Sequence, residues 1–173
     1  MTQSGAGEPS ARARLCRLLL AHAVELVVIG GIAIQAHGIP HVTGDLDVLC
    51  RATTWNLERL GRALAASEAS ARDQPELKFI YPDDVAEFVA HDAFAFDTRY
   101  GALDVLKWGP NAWDFDAISR RVEHLPVGDM LVPVAHLDDL IAMKRFADRP
   151  NDRAVLPALL ERQRQQRRDE RRR

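Results

Sequence analysis

Cysteine is scarce in this chain, with only Cys16 and Cys50 among 173 residues. Two thiols cannot build a disulfide framework, and their spacing fits no metal-ligand pattern. Two buried, reduced thiols in a cytoplasmic protein are the expectation. The six histidines share no spacing, which excludes a recognisable zinc site. Long apolar runs are missing as well. The longest, Leu26 to Ile34, contains two glycines and falls well short of the ~18 residues of a membrane span. No membrane partner is expected. The first ten residues have no apolar core, so they read as a flexible tail rather than a signal peptide. Aromatics are sparse at 6%, and none lies among the arginines near the C-terminus. That weakens the case for a base-stacking stripe there.

Apolar residues are plentiful, at 47% of the chain. That composition and length fit one globular domain with a real core. Residues 11–160 are assigned to it, with 1–10 as a tail and 161–173 as a basic helix end or tail. The net charge of −2 hides an asymmetry. Residues 161–173 hold seven Arg against Glu161, Asp169 and Glu170, so +4, while the rest carries 16 basic and 22 acidic side chains, so −6. A basic end on an acidic body is either a nucleic-acid arm or a solvated helix end.

The chain is organised around Val27 to Leu49, VVIGGIAIQAHGIPHVTGDLDVL. The β-branched run Glu25 to Ile29 predicts a strand covered on both faces. Gly30-Gly31 ends it, and a short helix over about Ile32 to His37 offers free N–H groups in its first turn. Gly38-Ile39-Pro40 stops that helix. A second strand, Asp45 to Cys50, carries Asp45 and Asp47 on the same face, because side chains two apart in a strand point the same way. Two adjacent carboxylates repel, and a divalent cation is the simplest device that keeps both ionised. The plain alternative is a pair of solvated acids at a strand end.

The remaining elements follow from pattern. Ser10 caps a helix reaching Val24, and Thr54 caps a second over Trp55 to Ala66, with Trp55, Leu57, Leu60 and Leu64 inward. Ser67 to Pro75 reads as a polar loop, Leu77 to Tyr81 as a short strand and Asp83 to Val89 as a short helix. Ala93 to Thr98 and Ala102 to Leu106 form a hairpin. Asp104 interrupts its second arm, where it either faces water at an edge or joins the Asp45/Asp47 pair. Trp113 to Ser119 reads as a helix, followed by short strands over Arg121 to Leu125 and Met130 to Pro133. In the amphipathic helix His136 to Ala147, Lys144 falls at the inner edge, where it snorkels or meets an acid. A last helix runs from Ala154, with Pro157 expected to kink or delay it. The whole is an α+β chain, a small mixed sheet flanked by helices.

Gly-Gly, a short helix, T-x-D-x-D and a later strand with one more Asp together resemble the nucleotidyltransferase superfamily of DNA polymerase β. The segment L-x-x-L-I-A-M-K followed by R-P-x-D resembles its AbiEii-like branch, which includes toxins of bacterial toxin–antitoxin pairs. The likeness spans Leu26 to about Leu160. It implies the nucleotidyltransferase fold, with Asp45, Asp47 and Asp104 binding two Mg²⁺ ions, Mn²⁺ being an alternative. It implies that Gly30 and Gly31, with Thr43 nearby, contact the triphosphate. Lys144 holds phosphate charge or helps activate the attacking hydroxyl, and Asp152 orients it. Where many members have Gly-Ser, this chain has Gly30-Gly31, which removes one hydroxyl contact to phosphate. A phosphoryl group on Thr43 would set negative charge beside the metal ligands.

The expected activity is transfer of a nucleoside monophosphate from a nucleoside triphosphate, such as ATP, to an acceptor hydroxyl. The first acceptor considered is RNA, such as a tRNA 3′ end, with the chain acting as a toxin beside a cognate antitoxin. The alternatives are a small molecule such as an aminoglycoside, a protein hydroxyl, or a non-catalytic antitoxin or binding module with a relic site.

Overall fold

The computed structural model describes residues 10–81, 83, 85, 91–107 and 114–172. Helix α1, Ala11–Ala21, is capped by Ser10, whose hydroxyl accepts from the Ala13 N–H at 3.2 Å. Strand β1, Leu26–Ile29, is buried along its whole length. Helix α2, Gly30–Ala36, follows without a break, so the two glycines are its first residues rather than a turn ahead of it. Strand β2, Leu46–Cys50, comes next, then α3, Thr54–Ala66.

The chain continues through β3, Ser70–Ala71, and β4, Gln74–Lys78. The β5/β6 hairpin follows, Ala93–Thr98 and Gly101–Leu106. A short α4, Phe115–Ser119, leads to β7, Glu123–Val127, and β8, Met130–Val134. Helix α5, Leu137–Ala147, and the long α6, Pro150–Glu170, complete the chain.

Among the described residues the strands form one mixed sheet in the order β4-β3-β5-β6-β2-β1-β8-β7. Its centre sets the geometry that matters. β1 and β2 are antiparallel, with Ile29 opposite Asp47, while β2 and β6 run parallel, with Asp47 opposite Asp104. Helix α1 packs on α3, β2 and β6, and α2 packs on β1, β2, β7 and α5. The core is aliphatic, with Leu19, Ile34, Leu46, Leu49, Leu60 and Leu103 essentially sealed from solvent.

Several local expectations need correction. The cap of α3 is Thr53, not Thr54, and Trp55 is 42% exposed. The buried position beside it belongs to Asn56, which exchanges hydrogen bonds with the Glu25 backbone and donates to the Arg51 carbonyl at 2.9 Å. A buried amide is tolerable here because backbone groups at the ends of β1 and β2 satisfy it. The segment expected as a polar loop contains β3, too short at two residues to carry an alternation signal, and the start of β4, which runs Gln74–Lys78 rather than Leu77 to Tyr81. Helix α6 starts at Pro150 and continues through Pro157 to Glu170. Pro157 lies on the exposed side of that helix, four residues after an arginine that stays helical. The basic C-terminal stretch is therefore mostly helix. The expected helix Asp83 to Val89 lies outside the described residues, except for Asp83 and Val85, and so does Trp113 at the start of another.

Candidate active site

The β1–α2 junction is built around two missing side chains. Gly30 has φ +61°, a conformation that strains residues with a Cβ. A Cβ on Gly30 would also overlap the Asp47 carboxylate, and one on Gly31 would overlap the Thr43 side chain. The glycines thus let β2 and its leading loop press against the start of α2. The Gly31 N–H donates to Asp47. One of the free donors expected for phosphate is in this way already directed at a carboxylate.

Asp47 sits where burial and like charge act together. Burial pushes its carboxyl up first, Asp104 second and Asp45 further, so that it titrates at about 6 despite the Gly31 bond and the more distant Lys144. Asp45, its side chain 42% exposed, lies just ahead of β2. Thr43 precedes it, and its hydroxyl donates to the Asp45 carbonyl at 3.3 Å. Arg12 fixes this loop from α1, donating to the Thr43 carbonyl and, at 3.2 Å, to the Gly44 carbonyl.

Asp104 faces Asp47 across the β2/β6 pairing, on the same side of the sheet. Its nearest charged partner is Arg72, a residue with no role in the sequence reading. The Arg72 guanidinium donates to Asp104 Oδ1 at 2.7 Å and lies 3.5 Å from Asp97 and 3.8 Å from Asp45. Arg72 is in the tight connection between β3 and β4, and its backbone N–H bonds to Ala95 of β5 at 2.9 Å. No sequence signal marks it, since it is 32 residues from Asp104 in a stretch without periodicity.

The opposite wall comes from α5 and the start of α6. Lys144 Nζ lies 2.6 Å from Asp152 Oδ1, and the other Asp152 oxygen accepts from the Arg149 N–H at 3.3 Å. Asp152, almost fully buried, therefore caps α6 and anchors Lys144 with the same carboxylate. Between the walls runs an open cleft of about 1040 Å³, reached by Gly31, Thr43, Asp45, Asp47, Lys144 and Asp152. His41 and Arg149 also line it. Burial, then Lys144, holds the His41 imidazole below its usual pKa.

The structure thus gathers Gly31, Thr43, Asp45, Asp47, Lys144 and Asp152 in one cleft, with Gly30 packed on Asp47 and Asp104 beside it on β6. The donor chemistry, a set of carboxylate oxygens of which the Asp47 pair is raised in pKa by burial first and by its acidic neighbours second, suits a hard divalent cation. Among the described residues no three acidic, His or Cys side chains converge as a ready-made metal cage. Among the described residues Arg72 is the cation paired with Asp45 and Asp104, while Asp47 feels Lys144.

An open mixed sheet flanked by helices matches the fold of solved nucleotidyltransferase structures. Two solved structures share it. The crystal structure of ANT(2″)-Ia in complex with adenylyl-2″-tobramycin is 14% identical, with 84% of this chain and 85% of that one covered and a TM-score of 0.57. The solution structure of the antibiotic-resistance factor ANT(2″)-Ia is also 14% identical, covering 84% and 80%, with a TM-score of 0.55. No protein-family profile and no curated protein sequence matches the chain. Among the described residues, no helix is long and apolar enough to cross a membrane.

Proposed function

We propose that this chain is a metal-dependent nucleotidyltransferase that moves a nucleoside monophosphate from a nucleoside triphosphate to an acceptor hydroxyl. The observation that carries the reading is the register of β2 and β6, which sets Asp47 against Asp104, with Asp45 two residues away, at the edge of a cleft walled by Lys144 and Arg149. The acceptor oxygen bonds to the α-phosphorus while the bond to the leaving pyrophosphate breaks. Asp45, Asp47 and Asp104 would hold Mg²⁺ or Mn²⁺, which when bound lowers the pKa of the attacking hydroxyl and offsets charge on the leaving oxygens. Lys144, held by Asp152, and Arg149 supply positive charge for the triphosphate from the other wall. Gly30 and Gly31 leave room for Asp47 and Thr43 to press against the start of α2, which seats the carboxylates at the cleft edge.

The acceptor we favour is an RNA end, such as a tRNA 3′ end. Helix α6 begins in the cleft wall and continues for 21 residues to Glu170. Arg164 and Arg168, four residues apart, share an exposed face of it, and Arg171 and Arg172 follow its end, an arm of positive charge for a polyanion that enters the cleft by one end. In this reading the chain is the toxin of a toxin–antitoxin pair. The support for that is the Leu137 to Asp152 segment that resembles the AbiEii-like branch, with Lys144 and Asp152 paired.

A second acceptor class, a small polycation such as an aminoglycoside, has its own support. Asp97 joins Asp45 and Asp104 around the open β5/β6 face, which favours a cationic acceptor, and the similar ANT(2″)-Ia structure holds adenylyl-2″-tobramycin. Incubation with α-labelled nucleoside triphosphates, Mg²⁺, total tRNA and an aminoglycoside mixture separates the two. Label in RNA is the expected result. Label in the aminoglycoside alone supports the second class, and label in neither contradicts the proposed transfer.

A further inference from the structure

Three carboxylates and one guanidinium meet at the ends of β2, β5 and β6 in a pattern that the transfer reaction does not by itself require. Arg72 makes its shortest contact, 2.7 Å, with Asp104, then 3.5 Å with Asp97 and 3.8 Å with Asp45. Two of these three acids are proposed metal ligands, and the third is not. An arginine fork can hold two carboxylates at once, and here each of its three nitrogens faces a different one.

We propose that Arg72 is a built-in counter-ion of the metal site, which must release Asp104 and Asp45 before a divalent cation binds there. The inference rests on the metal-dependent reading above. A guanidinium and a divalent cation cannot occupy the same carboxylate oxygens, because both seek the same lone pairs and repel one another. Without metal, Arg72 offsets the repulsion among acids that the sheet register forces together. With metal, that service is redundant and the guanidinium is in the way.

The fold provides it with somewhere to go. The Arg72 backbone is held to β5 through the Ala95 carbonyl, and its Nε already faces Asp97. The side chain can therefore turn its terminal nitrogens away from Asp104 while keeping one acidic partner. Its side chain is 35% exposed, so the movement needs no rearrangement of the core. Asp97 acts in this scheme as a positioning residue that holds the displaced guanidinium. The consequence is linkage: the site is stabilised by Arg72 or by metal, and each weakens the hold of the other.

The test is titration of Mn²⁺ into the whole protein, followed by calorimetry or by loss of the free-ion paramagnetic resonance signal, with no nucleotide present. Arg72→Gln removes the competing charge and should bind Mn²⁺ roughly three- to tenfold more tightly than the wild type, the scale of a partly exposed ion pair. Arg17→Gln makes the same change in net charge at the Asp129 ion pair, outside the cleft, and should bind like the wild type. Arg72→Lys, which keeps the charge but not the fork, should fall between them. Melting in EDTA provides a second reading. Arg72→Gln should melt below the wild type without metal and gain more from added Mn²⁺. Equal or weaker Mn²⁺ binding by Arg72→Gln overturns the inference while leaving the metal-dependent reading intact. An absence of Mn²⁺ binding in every variant overturns both.

Discussion

Asp47 is held at a cost. The folded protein keeps its proton up to about pH 6, whereas an unfolded chain gives it up near pH 4. The folded state therefore binds the proton more tightly. Stability is unaffected below about pH 4, falls as pH rises from there to about 6, and stays reduced above it. Asp47→Asn removes this penalty and retains an oxygen for the Gly31 N–H. In EDTA at pH 7.5 the variant should be more stable than the wild type by about 1–3 kcal/mol, and at pH 4 the difference should vanish. Denaturant melts at the two pH values check this, and a variant less stable at pH 7.5 would refute it. Strand periodicity picked out Asp47 in β2, while Asp45, expected as the first residue of that strand, lies one residue ahead of it. Arg72 was not legible in the sequence, because its contacts are made across three strands and nothing in residues 67–75 announces a sheet.

At the scale of elements, the junction of α2, β8 and α6 shows how the cleft is braced from behind. His37 caps α2, its Nε2 lies 2.9 Å from the Ala135 carbonyl after β8, and its own carbonyl accepts from Arg162 of α6 at 2.9 Å. Burial holds the imidazole below its ordinary pKa, even though Glu123 lies 4.0 Å away. The unfolded chain protonates this group as pH falls through about 6.5, and the folded chain resists. The contribution of His37 is thus complete above that pH and is lost as pH falls toward the folded value. His37→Gln preserves a donor to Ala135 but cannot titrate. Its stability should lose less than the wild type does between pH 7 and pH 5.5, as read from urea midpoints, and parallel loss would contradict the assignment. Sequence pattern located the long helices and the β5/β6 hairpin, where period is clear. It misplaced the α3 cap, where two threonines adjoin, and it began the last helix at Ala154, whereas that helix starts four residues earlier, with Pro150 in its first turn, where a missing N–H costs nothing.

For the whole molecule, the layout separates charge by task. Acids gather at the centre of the sheet, Lys144 and Arg149 face them across the cleft, and the exposed arginines of α6 lead outward. The sequence disclosed the order of these parts but not their distances. Asp104 is 57 positions beyond Asp47, and only the parallel β2/β6 pairing brings them together. Whether this assembly performs nucleotidyl transfer is tested most directly by pyrophosphate release from nucleoside triphosphate with Mg²⁺ and total RNA, comparing the wild type with Asp104→Asn. The account predicts release by the wild type that stops on adding EDTA, and a loss of at least ~100-fold in a variant that still melts cooperatively. Release undiminished in Asp104→Asn would contradict it.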